Sequence, residues 1–214
     1  MIPFNKPYLT GKETHYISDA VNSGKLSGNG KYTQKCQLYF EEKYSFKKGL
    51  LTTSCTDALE MCAILDNINE GDEVILPSFT FVSTAIAFVR QGAKNVFADS
   101  YSDNPNIDAD KIEALITNKT KAIVPVHYAG VACDMDKIME LATKYNLLVI
   151  EDAAVFHYIS LHSSEFYFEK HDGRLLENSD TFTNCLLRLP LFYELENETI
   201  DKIITTINNV NLLA

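Results

Sequence analysis

Several common sequence signatures are missing from this chain of 214 residues. No apolar run reaches the roughly 18 residues that a membrane-spanning helix needs. Residues 1–6 lack the basic and then apolar pattern of a secretory signal peptide. Acidic side chains outnumber basic ones by 29 to 19, which gives a formal net charge of -10. Because nucleic acids and anionic membranes require basic patches, we expect neither as a partner, and we expect a cytoplasmic protein.

The cysteines and histidines do not form a metal-binding or redox motif. The five cysteines are irregularly spaced and include no C-x-x-C pair: Cys36, Cys55, Cys62, Cys133 and Cys185. We therefore predict reduced thiols, mostly buried, and no metal site. His157 and His162 lie five residues apart with no carboxylate cluster beside them, so packing or a loop role is expected for both.

The middle of the chain alternates between short apolar runs and segments with helical periodicity. The apolar runs predict strands at 49–53, 73–77, 95–99, 122–127 and 147–151. The intervening segments predict helices at 56–65, 81–90, 108–116 and 134–145. Continuous apolar runs are typical of parallel strands that helices cover on both faces. We therefore predict an α/β fold with a mainly parallel sheet between helices.

The two ends of the chain have a different character. Two helices are predicted at 10–23 and 32–44, and the first opens with the capping-box pattern Thr10 to Glu13. Beyond the alternating region, 165–178 is charged and irregular, and 186–191 predicts a short strand closed by proline. A final amphipathic helix is predicted to begin at Asn197.

One predicted helix begins with small polar residues directly after a predicted strand. Cys55, Thr56 and Asp57 occupy its first turn. The N–H groups and the dipole of a helix N-terminus favour an anion, so this turn can hold a phosphate. From these residues alone, simple N-capping by Ser54 or Thr56 is the favoured explanation.

Two further residues follow strands at the edge where open α/β sheets bind ligands. Phe81 can stack on a flat ring there, or it can pack against the first turn of its own helix. Asp152 can accept a hydrogen bond from a protonated ring nitrogen, or it can cap a loop. Each of these signals is weak alone, but their joint order is not: a phosphate-binding turn, then an aromatic residue, then an acid, each after its own strand.

The order and wording of these motifs resemble the DegT/DnrJ/EryC1/StrS family of sugar aminotransferases, fold-type-I enzymes that use pyridoxal phosphate. The likeness runs through 1–154, including PSFTF at 77–81, PVHYAG at 125–130 and IEDAA at 150–154, and it resumes in the last third of the chain. Within the family, the chain is most similar to nucleotide-sugar 4-aminotransferases. Their reaction is the glutamate-dependent amination of a dTDP-4-keto-6-deoxyhexose for surface polysaccharides, and the family forms homodimers.

The resemblance implies a role for each motif residue. It assigns the cofactor phosphate to Cys55, Thr56 and Asp57, and it assigns ring stacking to Phe81. Asp152 would pair with the ring nitrogen, and Ala154 would pack on the opposite ring face. It also implies that 1–154 is the N-terminal part of the cofactor-binding domain and that 155–214 is a remnant of the C-terminal small domain.

The chain departs from the family pattern directly after Ala154. Val155 stands where the family usually has glutamine or histidine, and the segment with the Schiff-base lysine is missing. Lys170 and Lys202 match nothing in that lysine motif. The loop that reaches across the family dimer is missing as well.

Transamination needs a lysine amine to hold the cofactor and to move protons. We therefore predict a shortened aminotransferase homologue with no catalytic residue and no transaminase activity. One alternative is a pseudoenzyme that binds cofactor, nucleotide sugar or a full-length partner. The others are a decayed gene product and a gap in the sequence record.

Overall fold

The computed structural model describes residues 6–154, 159–185 and 196–211. The chain divides into two compact units. The larger unit is Thr52–Leu186, and the smaller unit combines Met1–Leu51 with Leu187–Ala214. The residues on both sides of the Ala154–Val155 junction belong to the larger unit. The domain boundary that the sequence analysis put at this junction stays a prediction.

The larger unit contains all the strands of the described residues. They are β1 (Glu73–Pro77), β2 (Phe79–Thr80), β3 (Lys94–Ala98), β4 (Thr120–Ile123), β5 (Val126–Tyr128), β6 (Leu148–Val149), β7 (Asp152–Ala154) and β8 (Ile159–Ser160). The α-helices of this unit are α3 (Cys55–Leu65), α4 (Val82–Val89), α5 (Ala109–Ile112), α6 (Met135–Tyr145) and α7 (Glu177–Cys185). Short 3-10 helices occupy Glu113–Leu115 and Leu161–Ser163.

The main sheet has four strands in the order β3-β1-β4-β6, and all of its pairings are parallel. Ile75 in the middle of β1 lies opposite Val96 of β3 and Ile123 of β4. Crossover helices connect the strands, as the strand and helix alternation predicts. The predicted α/β fold with a parallel sheet is confirmed.

Buried apolar side chains cover both faces of this sheet. Successive side chains of a strand point to opposite faces. Val74 and Leu76 pack into one core cluster with residues of α3 and α4. Ile75 packs into the other cluster with Ile112 of α5 and Ile138 of α6. The strands are apolar throughout because both of their faces are covered.

The sequence after the junction packs onto the same unit. β8 pairs antiparallel with β2. α7 begins beside Asp99, whose Oδ1 accepts hydrogen bonds of 2.9 Å from both the amide and the hydroxyl of Ser179. The guanidinium of Arg174 donates a 3.0 Å bond to the carbonyl of Phe97. Polar contacts from three separate points therefore hold this segment to the end of β3 and to β2.

Several secondary-structure elements differ from those that the sequence predicts. Residues 49–53 form no strand, and residues 50–53 are all exposed, so this run has no buried face of the kind that a strand in this sheet presents. The strand predicted at 122–127 is two strands, separated at Val124 and Pro125. α7 begins in the last two residues of the stretch 165–178 that was predicted to be irregular, and no element was predicted for the rest of this helix. The strand predicted at 186–191 lies outside the described residues.

The smaller unit contributes α1 (Glu13–Asn22), α2 (Lys31–Tyr44) and α8 (Asn197–Asn211), as predicted. The capping box is only half formed. Glu13 accepts from the amide and hydroxyl of Thr10, but α1 begins after Lys12, which makes no side-chain cap. Neither α1 nor α2 has a buried residue. Across the described residues, no helix is long and apolar enough to cross a membrane.

Candidate functional site

Asp152 is a buried carboxylate at the carboxyl edge of the sheet. It is 5% exposed and begins β7, where its amide donates a 2.9 Å bond to the carbonyl of Pro125. The hydroxyl of Thr84 donates to Oδ2 at 2.7 Å, and Sγ of Cys55 lies 3.5 Å from Oδ1. Desolvation first, and then the negative charge of Asp152, raises the pKa of the Cys55 thiol. The thiol therefore stays protonated and acts as a donor, so both oxygens of Asp152 are oriented by neutral groups.

The first turn of α3 lies beside this carboxylate. Ser54 is the N-cap, and its hydroxyl accepts a 3.1 Å bond from the amide of Asp57. The carboxylate of Asp57 accepts from the hydroxyl of Thr53, and this bond is the main reason that its pKa is lowered. Of the two capping residues considered from the sequence, Ser54 is the one observed. The cap uses one amide of a first turn that offers several, so capping leaves room for phosphate binding at Cys55 and Thr56.

Phe81 is the residue that immediately precedes α4. Its side chain is 53% exposed, and its extended backbone occupies the N-cap position without a side-chain cap. The carbonyl of Phe81 accepts a 3.0 Å bond from the amide of Thr84. One helical turn therefore links the exposed ring of Phe81 to the hydroxyl that holds Asp152.

The structure thus brings most of the motif residues to one place. Cys55 and Asp152 are in contact, and Phe81 starts the helix whose Thr84 binds Asp152. Ala154 follows in β7, in register with Tyr128 of β5. Val155 and His157 lie outside the described residues. The sequence motifs are therefore neighbours in space, while the individual cofactor roles stay predictions.

Thr84 is a site residue that the sequence motifs did not single out. Its side chain is fully buried in α4, bonded both to Asp152 and, at 3.1 Å, to the hydroxyl of Thr80. The available signal was a threonine three residues after Phe81, at the start of a helix that is apolar from Ala85 onward. A buried hydroxyl there needs a partner, and Asp152, the acid predicted at the carboxyl edge of the sheet, supplies one.

His127 lies in the PVHYAG segment, and both of its ring nitrogens are engaged by hydrogen bonds within the protein. Its Nδ1 accepts a 3.1 Å bond from the amide of Cys133, so the ring proton is on Nε2. That nitrogen donates to Glu151 at 2.8 Å. His127 therefore braces the paired strands β5 and β7 next to Asp152.

The only lysine in the described part of the chain between Ala154 and α8 is engaged elsewhere. Nζ of Lys170 donates a 3.0 Å bond to the carbonyl of Phe166 and lies 4.1 Å from the centre of its ring. This ammonium is therefore used within the turn at 166–170. His162, for which packing was predicted, is buried against Ser78.

Comparison of the sequence with a family model identifies the proteins to which this chain is related. The model of the DegT/DnrJ/EryC1/StrS aminotransferase family matches residues 7–156. The chain belongs to this aminotransferase family. Pyridoxal phosphate is the cofactor of these aminotransferases. Their solved structures include complexes with pyridoxal phosphate and with pyridoxamine phosphate.

Two curated relatives extend the assignment to sugar metabolism. The chain is 40% identical over 153 residues to a GDP-perosamine synthase of Escherichia coli O157:H7, which covers 72% of this chain and 42% of that protein. It is 39% identical to the spore coat polysaccharide biosynthesis protein SpsC of Bacillus subtilis, over 72% of this chain and 39% of the relative. The chain thus spans about two fifths of the length of these family members. These names refer to GDP-perosamine and to spore coat polysaccharide, so they do not support the predicted similarity to dTDP-sugar enzymes in particular.

Solved structures of the family share the fold of the matched region. An aminotransferase from Psychrobacter cryohalolentis superposes with a TM-score of 0.64 at 37% identity, over 68% of this chain and 37% of that one. NtdA of Bacillus subtilis, solved with bound pyridoxamine phosphate, gives a TM-score of 0.63 at 32% identity, over 66% of this chain and 32% of that one. This chain therefore has part of the family's α/β cofactor-binding architecture.

Proposed function

We propose that this chain is a shortened nucleotide-sugar aminotransferase homologue that binds pyridoxal phosphate and does not transaminate on its own. The observation that supports this proposal is the buried carboxylate of Asp152. Thr84 and Cys55 orient it beside the N-terminus of α3 and one helical turn from the exposed ring of Phe81. Such a constellation suits a ligand with a cationic ring nitrogen and a phosphate.

The residues present fit the cofactor at its phosphate and its ring. The amides of Cys55 and Thr56, with the hydroxyl of Thr56, would bind the phosphate, and the predicted contact from the amide of Asp57 would require that amide to leave the hydroxyl of Ser54. The ring of Phe81 would stack on the cofactor. Asp152 would accept a hydrogen bond from the protonated ring nitrogen and so stabilise its positive charge, and Ala154 would lie on the other ring face. When bound, pyridoxal phosphate supplies an electron sink for carbanion chemistry.

The missing function is proton transfer at the reacting carbon. A positioned amine must act there, and tight cofactor binding does not replace it, because only groups that act in the transition state accelerate the step. The bonds of Lys170 to Phe166 keep that amine within its own turn. We therefore propose that the chain retains binding and has lost turnover.

We propose that the full-length relatives and the ancestors of this chain have a keto nucleotide sugar as their substrate class, with glutamate as the amine donor. The choice between a dTDP-sugar and a GDP-sugar is part of the test below, since named relatives include GDP-perosamine synthases. A cytoplasmic location is consistent with a nucleotide-sugar substrate and stays a prediction from the sequence.

The proposal is tested by equilibrium dialysis of the purified 214-residue chain against pyridoxal phosphate. We expect saturable binding that weakens at least tenfold in Thr56→Val and Asp152→Asn, as expected for the loss of a charge-assisted bond. Thr143→Val is the matched control, because Thr143 is exposed on α6 and donates only to the carbonyl of Met139. Absence of saturable binding would remove the cofactor half of the proposal.

Loss of turnover needs a separate measurement. Borohydride reduction followed by peptide mass spectrometry should find no covalent cofactor on any lysine. Glutamate with either a dTDP-4-keto or a GDP-4-keto deoxyhexose should yield no 2-oxoglutarate. Lysine-bound cofactor together with glutamate-dependent amination would contradict the proposal, and the sugar that reacts would then identify the nucleotide.

An interaction with another subunit is a second candidate, supported by the exposed apolar side chains of the smaller unit. These include Tyr16, Ile17, Val21, Leu38, Tyr39 and Phe40 on α1 and α2. Large exposed apolar patches mark interaction sites. We propose that this surface packs against a second family subunit, as in the homodimers that the family resemblance implies. Sedimentation velocity over a range of concentrations distinguishes a dimer from a monomer.

A further inference from the structure

A short loop follows β5 at the carboxyl edge of the sheet, and we call residues 129–132 the β5 loop. β5 pairs in parallel with β7, with Val126 opposite Asp152 and Tyr128 opposite Ala154. Matched residues of paired strands point to the same face of a sheet. Tyr128 therefore lies on the face that Asp152 and Ala154 share, and the β5 loop begins directly after it, at the edge where open α/β sheets bind ligands.

The side-chain amide of Asn106 binds the backbone at both ends of the β5 loop. Asn106 is 3% exposed and lies between β3 and α5. Its Oδ1 accepts a 3.0 Å bond from the amide of Tyr128. Its Nδ2 donates to the carbonyls of Val131 at 3.0 Å and of Ala132 at 3.2 Å. One side-chain amide thus directs its oxygen and both of its hydrogens to the same short stretch of backbone.

The backbone of Asn106 is itself held in place. Its amide donates a 3.1 Å bond to Oδ1 of Asn104, and its carbonyl accepts a 3.1 Å bond from the amide of Tyr101. The next residue, Ile107, is fully buried and forms an antiparallel bridge with Ser100. A side chain on such a support has little freedom, so it can fix the position of the loop that it binds.

The β5 loop has a backbone conformation that needs this support. Ala129 has a φ of +51°, and Gly130 has a φ of +81°. A positive φ is unfavourable for a residue with a Cβ, and residues that their surroundings hold in such conformations cluster at functional sites. All four residues of the loop are exposed, so burial does not fix their positions. The shape of the loop therefore depends on hydrogen bonds, of which Asn106 makes three.

We propose that Asn106 is a positioning residue of the ligand site, because it fixes the β5 loop and Tyr128 beside Ala154 in the ligand-free chain. The ring of Tyr128 packs against that of Phe79, with centroids 5.6 Å apart. A wall that is ordered in advance leaves less entropy to lose when a ligand binds. The inference rests on the proposed binding of pyridoxal phosphate at Asp152, and it concerns the ring side of that site and not the phosphate side at α3.

The test compares two ligands of the purified 214-residue chain. Equilibrium dialysis measures the affinity for pyridoxal phosphate, and phosphorus NMR measures the affinity for inorganic phosphate, which needs only the first turn of α3. Asn106→Leu removes the amide at similar volume and should weaken pyridoxal phosphate about three- to tenfold, because the loop must then be ordered on binding. The affinity for inorganic phosphate should not change. Asn118→Leu is the matched control, because Asn118 is exposed in the turn before β4.

A second variant disturbs the loop and keeps Asn106. Gly130→Ala places a Cβ at a positive φ but meets no atom within 4 Å, so the chain should still fold. It should weaken pyridoxal phosphate in the same direction. Gly71→Ala is its control, because Gly71 has a φ of +91° in the turn before β1, at the other edge of the sheet. Hydrogen exchange of the ligand-free chain should accelerate at residues 128–133 in Asn106→Leu and in Gly130→Ala.

The combined outcomes separate this role from a general effect on folding. Weaker pyridoxal phosphate binding, with unchanged phosphate binding and faster exchange at 128–133, would support the role of Asn106. Unchanged pyridoxal phosphate binding in both variants would overturn it, because the loop would then be no part of the site. An equal loss of both ligands would also overturn it, since that result reports a general loss of structure. If the parent chain binds no pyridoxal phosphate, the proposed function itself fails and this role fails with it.

Discussion

Thr84 donates a 2.7 Å hydrogen bond to Asp152 across 68 residues of sequence, and both side chains are buried. The bond joins the first turn of α4 to the start of β7. A carboxylate held in this way is already oriented before any ligand arrives, so its binding needs little reorganisation. The relationship explains why a buried threonine occupies the first turn of a helix that is apolar from Ala85 onward.

Replacing Thr84 by valine should lower the free energy of unfolding by about 1–3 kcal/mol, because an oxygen of buried Asp152 loses its donor. Thr84→Ser keeps the hydroxyl and should lose less. Urea denaturation followed by circular dichroism measures both variants. In the control Thr143→Val, an exposed helical hydroxyl is lost, and the change should stay within about 0.5 kcal/mol. An equal loss at Thr84 and Thr143 would mean that the buried bond contributes nothing specific.

Asp99 should anchor the helix that follows the junction. Burial is the largest influence on its pKa and raises it, but hydrogen bonds from Ser179, Ser100 and Asn178 together outweigh burial and lower the pKa. Asp99→Asn should cost about 1.5–3 kcal/mol, since charged acceptors make the stronger bonds. Hydrogen exchange should accelerate throughout Glu177–Cys185 in this variant.

The lowered pKa of Asp99 also sets a pH window. The charged form is favoured in the folded state, so its contribution is complete above the ordinary value of 3.8 and is lost as the pH falls through the lowered folded value. Asp103→Asn, in an exposed loop, is the control for both measurements. Unchanged exchange in α7 of the Asp99 variant would show that other contacts hold this helix.

His162 should make stability depend on pH near neutrality. Burial lowers the pKa of its imidazole below 6.5, against the opposing effect of Asp180, while the nearby imidazole of His171 lowers it further. Nδ1 lies 2.7 Å from the hydroxyl of Ser78, which suits a neutral ring. The unfolded chain therefore binds more protons than the folded one in this range, and stability falls as the pH drops from about 6.5 toward the folded pKa.

The slope from one such group is at most about 1.4 kcal/mol per pH unit. Thermal midpoints between pH 7.5 and about 5 should show this decline in the parent chain and a weaker one in His162→Gln. His15→Gln, at an exposed position of α1, should leave the profile unchanged. A decline that persists in full in the His162 variant would place its origin in other groups.

Gly92 should be intolerant of any side chain. Its φ is +88°, and an added Cβ would come within 3.0 Å of the Cα and Cβ of Glu70. Gly71 has a similar φ of +91°, but nothing lies within 4 Å of its added Cβ. Gly71→Ala should therefore cost about 1–2 kcal/mol for the backbone alone. Gly92→Ala should cost more, and equal losses in chemical denaturation would show that Glu70 moves away freely.

Much of the larger unit is predictable from sequence because its strands and helices alternate with clear apolar patterns. β1 occupies the predicted residues, and α3, α4 and α6 agree with prediction to within a residue at each end. Such elements bury a face that the chain itself encodes, so local pattern and tertiary packing agree. The motif residues at the strand ends follow from the same regularity, because parallel strands end at one edge of a sheet.

The amino-acid sequence by itself predicted the family and the parallel sheet, which are both confirmed, and it also predicts that the lysine segment is missing, since each of these depends on residue identity and spacing. Only the tertiary structure decided that Thr84 donates to Asp152 and that Asp99 accepts from Ser179 in the first turn of α7. These contacts join residues that are 68 to 80 positions apart or lie on different elements. No local pattern specifies such pairs, because a buried polar group selects its partner by three-dimensional proximity and not by sequence spacing.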